Sequence, residues 1–215
     1  NYLGYTISTL LLNASDYGVP QNRNRIFIIG SKTGKIIQDP QKVSKRINVK
    51  DALWDLPDIN NGHNISEMPY QYEPHSEYAA LMRTNTNETV ANNLVTRNSS
   101  LIIERYKHIP QGGNWENIPE NLMSNYADRS RCHTGIYRRL EESKPAVTIG
   151  NFRKNMLVHP WKSRGLSIRE AARLQSFPDD FVFYGSIGFQ QQQVGNAVPP
   201  LLAKIIFNQI LKNVE

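Results

Sequence analysis

The chain has 215 residues, 39% of them hydrophobic and 20% charged, enough for one good core or two small ones and ordinary for a soluble globular protein. No apolar run approaches a membrane span, and a single cysteine, Cys132, excludes an internal disulfide framework and fits a reducing cytoplasm. The five histidines show no metal-ligand spacing, while a net charge of +6 and a pI near 9.4 permit nucleic-acid binding without requiring it.

The chain begins Asn1-Tyr2-Leu3, with neither an initiator Met nor a signal-peptide pattern, and reads as an internal start. Residues 5–12 are rich in β-formers and read as a strand, 13–20 as a loop, and 25–29 as the antiparallel partner. Side chains alternate along an extended chain, so Gln21, Arg23 and Arg25 share one face. Two guanidinium groups leading into an apolar strand need planar, anionic or acceptor-rich partners, and phosphates and base edges both qualify. The alternative is a solvated strand mouth where both pair with surface carboxylates.

Residues 48–57 read as a short helix stopped by Pro57, with Leu53, Trp54 and Leu56 as packing rather than acting residues, and Asn60-Asn61-Gly62 as a turn that opens a polar connector. The stretch 70–74 is expected to be extended, and Ser76 to cap a helix ending at Arg83. Residues 85–98 are polar and turn-rich and carry no motif. Residues 99–109 read as a serine-capped helix that Pro110 ends. In the loop Gln111-Gly112-Gly113-Asn114-Trp115 the missing Cβ atoms let backbone approach a phosphate or base edge, or else the loop is a plain turn anchored by Trp115.

Residues 137–140 and 146–150 bracket a charged turn and read as two strands, followed by a loop at 151–155 that carries Arg153 and Lys154. Ser167 and Glu170 form a capping box that opens a helix over 168–177, in which Arg169, Glu170 and Arg173 read as structural braces. Gly195-Asn196 reads as a tight turn before a closing helix. Pro199-Pro200 preset that helix, whose Leu201, Leu202, Ile205, Ile206 and Ile210 make an apolar stripe in need of a partner surface.

Three of these stretches carry a family resemblance. Gly18-Val19-Pro20-Gln21 with Arg23 and Arg25, followed by an apolar strand, resembles the eighth motif of the DNA (cytosine-5)-methyltransferases. The run from Leu166 to Pro178 is similar to the ninth motif, and Gln193-Val194-Gly195-Asn196-Ala197-Val198-Pro199-Pro200 to the tenth. The order agrees too, since in that family a long target-recognition region lies between the eighth and ninth motifs.

The resemblance implies a mixed α/β fold: the last strands of a doubly wound methyltransferase sheet (1–32), a smaller irregular α+β target-recognition domain (33–160), and C-terminal helices returning to the catalytic domain (161–215). It implies that Arg23 and Arg25 hold the extruded cytosine and its phosphate with Gln21 in support, because the target carbon cannot be attacked within the stack. It assigns Gly195, Asn196 and Ala197 to the S-adenosylmethionine pocket. It also assigns Thr148, which lies in a run similar to the end of the recognition region, to the DNA backbone, with Arg153, Lys154, Gly112 and Gly113 on the DNA side; the other reading of Thr148 is a β-branched strand residue.

Cytosine C5 becomes reactive only when a thiolate adds to C6, and the family keeps that thiol in a Pro-Cys-Gln motif. The motif is absent here, as are the Gly-rich cofactor loop and the Glu-Asn-Val motif, and Cys132 in Ser-Arg-Cys-His-Thr lacks the right flanks. The chain is therefore expected to be inactive alone, with an exposed sheet edge. Its expected partners are duplex DNA and an N-terminal catalytic half, in cis or as a subunit, and no membrane. The rival reading is a non-enzymatic DNA-binding module.

Overall fold

The computed structural model describes residues 3–86, 88–126, 134–154 and 156–213. The chain opens on an antiparallel hairpin, β1 (Thr6–Asn13) and β2 (Asn24–Ser31), with Leu10 opposite Phe27 and Leu12 opposite Arg25. Asn13 shapes the connection, because its side-chain oxygen accepts from the backbone N–H of both Ser15 (3.3 Å) and Arg23 (3.0 Å). The other α-helices and strands among the described residues are α1 (Val49–Leu53), a two-residue ladder of β3 (Met68–Pro69) with β4 (Thr89–Val90), α2 (Glu77–Met82), α3 (Ser100–Lys107), α4 (Ile168–Leu174), α5 (Ile187–Asn196) and α6 (Pro200–Leu211).

Alternation sorts the hairpin into two faces. Ser8, Leu10 and Leu12 point inward, and α6 lays Leu202 and Ile206 against them, so the stripe on the closing helix finds its partner in the first strands of the chain. The outward face is apolar as well: Ile7, Leu11, Ile26 and Ile28 are 52%, 68%, 64% and 72% exposed. The hairpin is a two-stranded sheet, and no further strand pairs with either edge among the described residues. By length and composition, Ile187–Leu211 is apolar enough to cross a membrane. It is two helices, however, because α5 ends at Asn196 and the rigid Pro199-Pro200 pair starts α6 afresh.

The largest core surrounds α4, whose seven residues are all buried. Ser167 caps it, accepting from Glu170 N–H (3.1 Å) while Glu170 accepts from Ser167 N–H (2.8 Å). Three charged residues of this short helix then tie distant segments to it. Arg173 donates to Asp55 near α1 and to Asp179 beyond α4, and Arg169 donates to the carbonyls of Ala91, Pro178 and Phe181. Glu170 receives a bidentate pair from Arg164 at 2.8 and 2.7 Å.

Several local expectations need correction. Strand pairing falls at β3 and β4, the latter inside the stretch that showed no motif. Ser99 holds the N-cap position of α3 without a side-chain bond. Residues 137–140 and 146–150 do not pair with each other, because Arg139 bridges to Val158 and Ala146 to Gln21. Gly195 and Asn196 are the last turn of α5 and not a turn between helices.

The buried acid–base cluster predicts acid sensitivity. Burial pushes His159 down to about 3 from an ordinary 6.5, with Glu170 opposing and Arg164 reinforcing the shift. Burial on its own would raise Glu170, but Arg164 above all, then His159 and the hydrogen bonds, bring it to about 2 from 4.5. Both folded values lie below the unfolded ones, so in acid the unfolded chain binds more protons. Stability present at neutral pH is expected to fall as pH drops from 6.5 towards 3, and again from 4.5 towards 2. Urea midpoints measured along that range check this, and a midpoint constant from about pH 7 to about pH 3 contradicts it.

Candidate functional site

The three motif segments meet on one strip of backbone at 146–150. Pro20 and Asn22 exchange hydrogen bonds with Ala146 (2.9 and 2.8 Å), and Thr148 Oγ1 donates to Asn22 O at 2.7 Å. The Ile149 peptide is then gripped on both sides. Its N–H donates to Gln21 Oε1 (2.8 Å), and its carbonyl accepts from Arg23 Nη1 (2.9 Å) and Gln175 Nε2 (3.2 Å).

The same side chains reach onward to α4 and α5. Gln21 Nε2 donates to Leu174 O (3.1 Å), Gln175 Nε2 to Val194 O (2.9 Å), and Arg23 Nη2 to the carbonyls of Gly195 (2.8 Å) and Ala197 (3.1 Å). Gln21 and Gln175 are fully buried and Arg23 is 2% exposed. A fixed cation without a carboxylate is tolerable there because three carbonyl dipoles receive it. The acceptor-rich partner that Arg23 requires is thus the protein's own backbone. Arg25 is half-buried, and its Nη1 donates to the neighbouring Asn24 carbonyl at 3.0 Å.

Gly195 answers a packing demand. A Cβ built on it would fall onto the Gly150 carbonyl oxygen and lie 3.0 Å from the carbonyl carbon, so only glycine lets α5 sit this close to the strip. Asn196 is exposed beside it, at the C-terminal end of α5. Asn196, Gly195, Gln191 and Gln192 form one wall of a cavity of about 360 Å³, whose other wall is Gly150, Asn151, Arg153 and Lys154. The structure therefore brings the residues expected at the cofactor beside two of those expected at DNA.

Gly112 lies on a second groove of about 290 Å³, together with Asn22, Arg46, Arg138, Lys144 and Ala146. Its φ of +75° is the left-handed conformation that glycine adopts without strain. Its N–H donates to Arg139 O (3.2 Å) and that of Gly113 to Pro110 O (2.9 Å), so the amides of the glycine pair bind within the fold. Arg139 anchors this region by donating to the carbonyls of Tyr106, Ile109, His159 and Lys162. Among the described residues no group of three or more His, Cys, Asp or Glu is placed to hold a metal ion, and Cys132 lies outside them.

Sequence reasoning named Gln21, Arg23, Arg25, Thr148 and Gly195 but did not single out Gln175 or the basic trio Arg46, Arg138 and Lys144 on the second groove. Gln175 carries no local signal, since its partners come from 19 and 26 residues away. The trio was open to a charge-pattern reading only once the groove was known.

Residues 1–212 match the family model of the C-5 cytosine-specific DNA methylases. The chain is 38% identical over 212 residues to the type II methyltransferase M1.HphI of Haemophilus parahaemolyticus, covering 98% of this chain and 49% of that protein. It is 32% identical over 228 residues to M.DdeI of Desulfomicrobium norvegicum, covering 97% of this chain and 55% of that one. In three dimensions it superposes with a TM-score of 0.76 on a crystal structure from E. coli assigned as a candidate prophage-encoded DNA modification methyltransferase. The identity is 24%, over 99% of this chain and 62% of the other, which bears on the fold alone. The chain thus spans about half the length of the curated relatives it matches. On the match over nearly all its residues, it belongs to the C-5 cytosine-specific DNA methylase family.

Proposed function

We propose that the chain is the C-terminal part of a DNA (cytosine-5)-methyltransferase of a bacterial restriction–modification system, acting on cytosine C5 within a specific duplex sequence. The observation that carries this reading is the convergence of Gln21 and Arg23, Gln175, and Gly195 and Ala197 on the Ile149 strip, because it joins all three motif segments through buried polar bonds. Such a junction holds a recognition segment and a cofactor segment in fixed register. The reading divides the chain into strands of the catalytic domain (1–32), a recognition region (33–160) and returning helices (161–215).

In this reading Arg25 contacts the extruded base and its phosphate, while Gln21 and Arg23 stand one step behind and set the path of the strand. Thr148, Arg153, Lys154 and the loop at Gly112-Gly113 face the DNA backbone. Asn196 and Ala197 sit at the C-terminal end of α5, where the negative end of the helix dipole suits a net-cationic cofactor, and Gly195 fixes that end against Gly150. S-adenosylmethionine, bound there, supplies an electrophilic methyl group. The nucleophilic cysteine and the glycine-rich cofactor loop come from an N-terminal catalytic half, in cis or as a separate subunit, and without it the chain transfers no methyl group. The exposed face of Ile7, Leu11, Ile26 and Ile28 supports such a partner, since covering it removes a contiguous apolar patch from water.

Anisotropy of a labelled duplex tests the DNA side. The affinity of the chain is expected to fall linearly on a logarithmic salt scale, and Arg25→Ala to weaken binding without lowering the melting temperature. Salt-independent binding, or none, contradicts the reading. A chain that binds DNA and stays silent with every catalytic half is a binding module instead.

A further inference from the structure

We propose that Arg138 reads a guanine of the target sequence from the groove beside the Gly112-Gly113 loop, with Arg46 and Lys144 seated on flanking phosphates. This rests on the methyltransferase reading above and goes further by naming a base-reading side chain in the recognition region and the base it takes.

Arg138 stands apart from the other arginines. Every other arginine that is buried or half-buried among the described residues, from Arg23 to Arg173, gives its guanidinium to acceptors inside the fold. Arg138 is half-buried too, yet its side chain has no hydrogen-bond or ion-pair partner among the described residues. It lines the groove of about 290 Å³ that Gly112 borders. A partly desolvated guanidinium with its donors free needs acceptors from outside the chain, and its planar fork matches O6 and N7 of guanine in an intact duplex.

The backbone fixes where that fork is presented. Arg138 lies between Tyr137, which is fully buried, and Arg139, which four carbonyls hold. Tyr137 has a φ of +52°, in the left-handed region that a bulky side chain rarely adopts. It is kept there because its hydroxyl accepts from Arg105 Nη1 (2.8 Å) and its ring packs edge-on against Tyr106 at 6.0 Å. The carbonyl of Arg138 itself accepts from Val158 N–H at 2.8 Å. Strain that the surroundings enforce in this way gathers at binding sites, and a side chain on a pinned backbone loses less freedom when it binds.

The other cations of the groove are oriented in advance. Arg46 Nε donates to Asp16 Oδ1 (3.0 Å), Lys144 pairs with Glu141 (3.0 Å), and both cations remain exposed. Glu141 is the carboxylate on the groove among the described residues, and Arg46, Arg138, Arg139 and Lys144 outnumber it, so the field there favours phosphate. Ala146 and Val147 carry the groove to Thr148, on the strip that Gln21 and Arg23 hold. The guanine and the target cytosine therefore belong to one recognition sequence.

The test is selection from a randomised duplex library by the intact chain, as wild type, Arg138→Ala and Arg138→Gln. The Arg138 side chain holds no other element, so both variants are expected to fold, which circular dichroism verifies. Arg138→Ala is expected to lose about tenfold preference for guanine at one position and keep the others, and Arg138→Gln to turn that position towards adenine. Lys144→Gln is expected to reduce the salt slope of binding by about one and leave the selected sequence unchanged. If Arg138→Ala selects the same sequence as wild type, or weakens every sequence equally, Arg138 reads no base and the inference fails, while the methyltransferase reading stands. A wild type that retains duplex without any guanine preference overturns it in the same way. Failure of the wild type to retain any duplex overturns both.

Discussion

Replacing Arg173 by Leu is expected to cost about 3–5 kcal/mol of folding stability. The guanidinium is fully buried between Asp55 and Asp179, whose side chains are also 0% exposed, and it donates as well to Ala52 O at 3.0 Å. Burial disfavours its charge, yet the two carboxylates hold its pKa above the ordinary arginine value. Removing it leaves Asp55 with Arg83 at 3.4 Å and Asp179 with the Tyr70 hydroxyl at 2.7 Å and Arg169 at 3.6 Å, too little to replace the lost forks in the core, and this asymmetry between breaking a buried network and never building one makes the cost large. Arg173→Lys keeps the charge but not the planar fork, and should fall between Leu and wild type. Urea unfolding checks the order; a loss below about 1 kcal/mol for Leu contradicts the bracing role.

The second large effect concerns a pair of glycines in contact. Gly195→Ala pushes a methyl into the Gly150 carbonyl, so α5 must shift, and Arg23 loses its geometry on Gly195 O and Ala197 O. A cost of about 1–3 kcal/mol is expected from the overpacking. In the completed enzyme methyl transfer should fall about 100-fold, because a displacement near 1 Å at a positioning group is enough for that. Gly150→Ala is the control. A Cβ there meets nothing within 4 Å, so stability should stay within about 0.5 kcal/mol of wild type. Equal losses for the two variants contradict the close-packing explanation.

Elements whose signal is local were legible. The hairpin followed from stretches rich in β-formers on either side of a loop, α4 from its capping box, and α6 from its stripe, which also announced that a partner surface existed. What failed locally was decided at long range. Residues 146–150 looked like a strand in need of a neighbouring partner, but its neighbours are Pro20 and Asn22, more than a hundred residues earlier. Gly195-Asn196 carries a turn signal, yet tertiary contact with Gly150 requires glycine inside a helix and overrides it. For the site, residue types sufficed to pick out Arg23 and Arg25 as needing acceptor-rich partners. They were silent on which acceptors, because the carbonyls of Ile149, Gly195 and Ala197 lie between 126 and 174 residues away.

The most direct measurement is transfer of a labelled methyl group from S-adenosylmethionine to duplex DNA. The chain is assayed by itself and then with the half of the Haemophilus parahaemolyticus relative that it does not cover, followed by identification of the modified atom. The expected result is no product from the chain alone and 5-methylcytosine once the catalytic half is added. Methyl transfer by the chain alone, or a methyl group on any atom other than cytosine C5, contradicts the proposed function.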